Sequence, residues 1–184
     1  MNSDLFKNKF RISSSRLVNW DYSQSGYYFV TICVKNRQCL LGEIRNRKIY
    51  LSNYGKIIKQ CFIDLSNHFN NIRIDEFIVM PNHVHGIIII KSNPNCRDVI
   101  NHVSTIQNIS PMNKISLGKI IRYFKGKSTF LIHQFGNNTF QWQPRYYDHI
   151  IRAENDLLKT QQYIRWNALK WEDDEENPIN IKSA

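Results

Sequence analysis

No stretch of this 184-residue sequence is both long and apolar. The longest apolar runs are strand-sized, such as residues 87–90, which excludes a membrane-spanning helix of about 20 residues. The opening Met1-Asn-Ser-Asp-Leu-Phe-Lys lacks an apolar signal core, so nothing points to export. Cysteine is sparse: Cys33, Cys39, Cys61 and Cys96 stand far apart with no C-x-x-C spacing. A disulfide frame and a zinc knuckle are thereby disfavoured, and reduced thiols in a cytosolic protein are expected. A Gly-x-x-x-x-Gly-Lys loop is missing, so no phosphate cradle for a nucleoside triphosphate is expected. Internal repeats are missing too.

What is present suits one globular domain with a real core: 42% of residues are apolar and 22% charged. Net charge is +10, and its distribution says more. Residues 172–176 read Glu-Asp-Asp-Glu-Glu, and the body before them holds 24 Lys and Arg against 10 Asp and Glu, a balance of +14. Such a surface favours a polyanion, usually nucleic acid, although an ordinary basic protein has the same balance.

Residues 1–26 are polar and basic and are expected to form an irregular arm. Residues 27–35 (YYFVTICVK) read as a strand, and 40–44 with 48–51 as a short hairpin. Ser52 or Asn53 caps a helix to about His68, with Ile57, Ile58, Cys61, Phe62 and Leu65 as its buried stripe. Strands follow at 74–80 and 83–90, turned by Pro81-Asn82. Residues 91–113 lack a period and read as a loop or insertion. Ser116 opens a second helix to about Gln134, 146–152 reads as a strand, and a last helix from Glu154 or Asn155 reaches about Trp171. The main domain spans 27–171, and an acidic tail follows at 172–184. The order of strands and helices suits an α+β sandwich, an antiparallel sheet with helices packed on one face.

The strongest local signal is Met80-Pro-Asn-His83-Val84-His85-Gly. On a strand, residues two apart share a face, so His83 and His85 present two imidazoles side by side while Val84 points into the core. Paired neutral imidazoles seat a divalent metal. With six histidines in the chain, two unrelated ones on a solvated strand give the same spacing. On the last helix, Tyr163 and Asn167 lie about 40° apart, one turn along the same side. Packed on the sheet, they could face that metal. The Asn167 carbonyl oxygen suits Mg²⁺ or Mn²⁺ as a third ligand, and Tyr163 suits a phenolate nucleophile on a phosphate. A tyrosine packing at a core edge is the plainer alternative.

Together these features resemble the HUH (His-hydrophobic-His) single-tyrosine transposases, and within them the REP-associated tyrosine transposases. The resemblance rests on five features in order. They are the basic arm with Asp21-Tyr22 and Tyr28-Phe-Val-Thr-Ile; Val79-Met-Pro-Asn-His83-Val-His85; the basic helix 116–127; Trp142-Gln-Pro-Arg145 with Asp148-His149-Ile-Ile-Arg152; and Tyr163-Ile-x-x-Asn167. It implies a ferredoxin-like sandwich and a bacterial-type cytoplasmic, nucleoid-associated protein. It also implies metal-dependent cleavage of single-stranded DNA near a palindromic hairpin. Cleavage would leave a 5′-phosphotyrosine on Tyr163 and a free 3′-hydroxyl, which can later rejoin the strand. Two departures stand out: insertion-sequence enzymes carry Gln where this chain has Asn167, and the REP-associated branch continues Asn-Pro-Val where Ala168-Leu169 follows here.

Arg11 and Arg16 in the arm are the candidates for reading DNA sequence, since related enzymes use that region beside the hairpin. Lys119, Arg122 and Lys125 along the second helix, with Arg145, are candidates for phosphate contacts; a solvated helix face fits the same pattern. Trp142 suits base stacking or the core. The acidic tail, taken as a flexible segment, is expected to oppose non-specific attraction of DNA. Two other readings share these features: a replication initiator or relaxase, and a non-catalytic single-strand binder whose Tyr and His stack bases. The resemblance is compatible with a monomer or a homodimer.

Overall fold

The computed structural model describes residues 19–91 and 115–180, together with Leu17 and the backbone of two short strands. Those strands, β1 (Leu5–Phe6) and β2 (Lys9–Phe10), pair antiparallel, so the arm is not wholly irregular. The remaining elements follow in chain order. They are β3 (Gly26–Cys33), β4 (Gly42–Arg45), β5 (Lys48–Leu51), α1 (Asn53–Ile63), α2 (Leu65–His68), β6 (Ile72–Val79), β7 (His83–Ile90), α3 (Leu117–Gln134), β8 (Tyr147–Ile151) and α4 (Glu154–Trp166).

Four strands form one antiparallel sheet in the order β6-β7-β3-β8, and β4 and β5 make a separate hairpin. The two central strands are the most apolar, as strands buried on both faces must be. All eight residues of β7 are buried, as are the last six of β3. The sheet is α+β in class, as its element order foretold.

Register decides which residues share a face. Cys33 pairs with His83, Thr31 with His85, and Phe29 with Ile87; across the other edge of β3, Thr31 pairs with Tyr147 and Phe29 with His149. These residues line one face. Tyr28, Val30, Ile32, Val84, Ile88 and Ile90 line the other, and α1 and α3 cover it to make the main core. Ser52 and Ser116 cap those helices through the N–H groups of Gly55 and Lys119. The expectation of helices on one face holds for this pair. Helix α4 differs: its Ile164 packs on Phe29, Ile87 and Ile151, on the opposite face.

Gly86 lets the main core close. A Cβ there would lie 2.5 Å from Cζ and 2.7 Å from Cε1 of Phe62, whose ring stacks on Phe77 with centroids 5.1 Å apart. Gly86→Ala is expected to lower stability by about 1–3 kcal/mol through overpacking. Urea unfolding measures this; an unchanged midpoint would show that the Phe62 ring yields freely.

Candidate active site

The hairpin turn between β6 and β7 orients the first histidine. Asn82 is fully buried, and its Nδ2 donates to the carbonyls of Arg37 (3.1 Å) and Glu176 (2.7 Å). Its Oδ1 therefore faces His83 Nδ1, 2.8 Å away, as an acceptor. His83 then carries its proton on Nδ1 and offers a lone pair at Nε2, the arrangement typical of a metal-binding imidazole. That Nε2 is buried and has no partner among the described residues. His85 sits beside it, ring centroids 4.3 Å apart, with Nδ1 2.9 Å from Thr31 Oγ1 on the paired strand. Phe29 stacks on the His85 ring at 5.4 Å.

Burial, and secondarily His85 and Arg37, hold His83 well below the usual histidine value; burial alone takes His85 to about 3. Both rings are therefore neutral near pH 7, the form that binds a cation. The same shift links stability to pH. The folded value of His85 lies below the unfolded value of about 6.5, so the unfolded chain binds more protons in acid. Stability is full above pH 6.5 and declines as pH falls toward 3. Between pH 7 and pH 5, His85 alone should cost about 2 kcal/mol in metal-free protein. Urea titrations with chelator at the two pH values test this; equal stability would mean that the ring is not buried neutral.

Helix α4 brings in the tyrosine. A register shift in β6 between Ile74 and Phe77 leaves Asp75 and Glu76 outside the regular ladder, and both grip α4. Gln161 Nε2 donates to Asp75 Oδ2 at 2.6 Å, and Arg165 pairs with Glu76. With Ile164 in the core between these anchors, Tyr163 stands over the sheet, and its hydroxyl and His85 Nε2 share a hydrogen bond of 3.3 Å. Its ring meets Phe29 edge-on and is 46% exposed. Burial, with Asp174 and Glu175 nearby, pushes the phenol up to about 12.

The end of α4 departs from the expected straight helix to Trp171. After Trp166 the chain tightens into a 3-10 stretch, Asn167–Asp173, that turns residues 174–180 back over the site. Asn167 is buried; its Nδ2 donates to Asp174 Oδ2 at 2.9 Å, and its Oδ1 has no partner among the described residues. Asp174 is buried as well, and its Oδ1 accepts from the Glu176 N–H at 2.7 Å. Glu176 in turn pairs with Arg37 at 2.5 Å. The acidic residues up to 176 are thus not the flexible run expected of them, because Asp174 and Glu176 have partners inside the fold. Burial raises the Asp174 carboxyl above the usual carboxylate value, against the opposing pull of its hydrogen bonds.

His83, His85 and Asp174 place one ligand atom each within 4.8 Å of one another, and this group could bind a metal. Sequence reasoning missed Asp174, since nothing local separates it from its four acidic neighbours. The donor set fits a divalent cation: two neutral imidazoles, a carboxylate, and two buried acceptors, His83 Nε2 and Asn167 Oδ1, that no other described residue satisfies.

The candidate DNA-contacting residues are dispersed. Arg11 and Arg16, like residues 92–114, lie outside the described residues. Lys119 and Arg122 are exposed on α3, behind the sheet from Tyr163. Lys125 is half-buried and donates to the carbonyls of Gln143 (2.6 Å) and Arg145 (2.9 Å); burial brings its ammonium down to about 8. Arg145 is exposed just before β8. Trp142 belongs to the core, where it packs on Phe124 and Phe140 and donates to Ser128 Oγ at 3.0 Å.

No protein-family model matches the chain. A curated Haemophilus influenzae protein described only as uncharacterized is 37% identical over 163 residues, covering 88% of this chain and 91% of its own. A second protein of that organism, named provisionally as a REP-associated tyrosine transposase, is 24% identical over 82% of this chain and 74% of its own. Among solved structures, a REP-associated tyrosine transposase bound to a REP hairpin has the same fold, with a TM-score of 0.55 and 21% identity over 87% of this chain and 74% of that one. The chain is thus similar in sequence to a protein named as a REP-associated tyrosine transposase and similar in fold to another. Among the described residues, no helix is long and apolar enough to cross a membrane.

Proposed function

We propose that this protein is a REP-associated-type tyrosine transposase, a divalent-metal-dependent HUH endonuclease and strand transferase that cuts single-stranded DNA beside a hairpin through a 5′-phosphotyrosine on Tyr163. One observation carries the reading: the hydroxyl of a half-exposed tyrosine stands 3.3 Å from an imidazole nitrogen in a site that could hold a metal. His83, His85 and Asp174 would hold the ion, with Asn167 Oδ1 as a further donor. Two nitrogens among these donors favour Mn²⁺ over Mg²⁺. When bound, the cation supplies the positive charge that offsets Asp174 and Glu175 and polarises a phosphate oxygen.

Tyr163 Oη attacks phosphorus, the phosphorus–O3′ bond breaks, and the leaving strand takes a proton to become a 3′-hydroxyl. The phenol proton passes to water at the open side of the ring. Attack by a 3′-hydroxyl on the phosphotyrosine reverses the step, so the bond energy is conserved without ATP. Thr31 and Asn82 keep the imidazoles oriented, and Gln161 and Arg165 keep the helix over the sheet. The likeness to a transposase solved with a REP hairpin supports hairpin DNA as the partner. Arg11 and Arg16 are assigned to sequence reading, and Lys119, Arg122 and Arg145 to phosphates away from the scissile bond. Lys125 fits phosphate binding less well, because two carbonyls already engage its ammonium.

The direct test incubates the protein with an end-labelled single-stranded hairpin and Mn²⁺. Cleavage with a denaturant-resistant protein–DNA band is expected; tight binding with neither product would favour the non-catalytic single-strand binder.

A further inference from the structure

Beside Tyr163 the surface forms an open groove of about 340 Å³, lined by Phe29, Tyr147, His149, Lys159, Thr160 and Tyr163. Its floor is Phe29, and the rings of Tyr147 and Tyr163 flank that floor edge-on, with centroids 6.3 Å and 6.0 Å away. Tyr147 is 54% exposed although it sits on a strand of the main sheet. It lies on β8, at the sheet edge and on the face of the metal donors, because it pairs with Thr31, which also pairs with His85. Lys159 is exposed and forms no ion pair among the described residues. The nearby carboxylate of Asp156 is engaged by His149 Nε2 at 2.8 Å, so it does not face the groove unpaired.

Aromatic rings and a cation on one groove bind nucleic acid in a particular way. A base needs a flat apolar surface, and its phosphate needs positive charge within the span of one nucleotide. The groove volume is at the small end for ligand pockets, enough for one nucleotide and not for a run of them. A duplex cannot use it, since stacked and paired bases offer no free face. The groove is also continuous with the site of attack, because Tyr163 belongs to both.

We infer that this groove is a nucleotide subsite that takes one unstacked DNA base, next to the scissile phosphate, against Tyr147 and Phe29, with Lys159 on its phosphate. The inference rests on the nuclease reading above and deepens it. The subsite holds the strand so that the neighbouring phosphorus lies before the Tyr163 hydroxyl, and it favours single strands without reading sequence.

Binding measured with chelator present, where no cleavage occurs, separates this inference from the chemistry. The probes are fluorescent ten-residue oligothymidylate, an abasic strand of equal length, a ten-base-pair duplex, and oligouridylate. Tyr147→Ala should weaken oligothymidylate binding roughly tenfold while leaving the abasic strand and the duplex unchanged. Tyr147→Phe, which keeps the ring, should bind as wild type does. Lys159→Ala should weaken both single strands alike and reduce the salt slope by about 0.7. Equal losses on the base-bearing and abasic strands in Tyr147→Ala, or a Phe variant as weak as the Ala variant, would overturn the subsite. Oligouridylate binding tighter than oligothymidylate would make RNA the occupant and overturn it too. A wild-type protein with these binding properties but no covalent adduct would sink the nuclease reading and leave the subsite in place.

Discussion

Tyr163→Phe is expected to abolish the covalent protein–DNA adduct and to reduce cleavage on the order of a thousandfold or more, the scale of losing a nucleophile. The substitution removes one oxygen. That oxygen makes a long hydrogen bond, 3.3 Å to His85 Nε2, on a residue that is 46% exposed. Stability should therefore change by no more than about 1 kcal/mol, and melting curves of the two proteins should nearly coincide. Single-strand binding should survive, because phosphate contacts and stacking do not need the hydroxyl. Persistence of the adduct in this variant would refute the assignment. So would peptide mapping that places the DNA on Tyr147, which lines the same groove, or on its chain neighbour Tyr146.

His83→Ala and His85→Ala should each remove detectable cleavage while leaving DNA affinity within a few-fold of wild type. The imidazoles are buried and touch no surface that a strand could reach without the ion. A metal readout independent of activity accompanies this. Mn²⁺ at about 100 times its dissociation constant should stabilise the wild-type fold by about 2.7 kcal/mol, and should not stabilise either variant. Asn167→Ala should be milder, since water can replace an amide oxygen around a hard cation. The contact between Asn167 and Asp174 makes it more than neutral, because removing Nδ2 also frees a buried carboxylate. Histidine variants that lose binding and cleavage equally, with no Mn²⁺ effect on the wild type, would mean that His83 and His85 are structural.

Removal of the residues after Trp171 is not a simple change of charge. It deletes Asp174 from the donor group, the Glu176 pair with Arg37, and the Glu176 carbonyl that fixes Asn82. A tail read as a solvated anionic run would be expected to act on DNA through screening alone. The folded segment acts first on the geometry of His83.

The alternation of His83, Val84 and His85 on a β-strand, and the one-turn spacing of Tyr163 and Asn167 on a helix, are properties of local periodicity, and the sequence alone determines them. The same holds for the span of β7, the start and end of α3 behind its Ser116 cap, and the apolar stripe of α1, since caps and stripes act within a few residues. Tertiary structure decided which face of the sheet α4 covers, because that choice depends on Asp75 and Glu76, more than 80 residues away in the chain. It also decided that one of five consecutive carboxylates, Asp174, joins the histidines, that Lys125 bonds to carbonyls, and that Tyr147 opens beside Tyr163. Each of these depends on the register and packing of segments distant in sequence, which leave no trace in a local pattern.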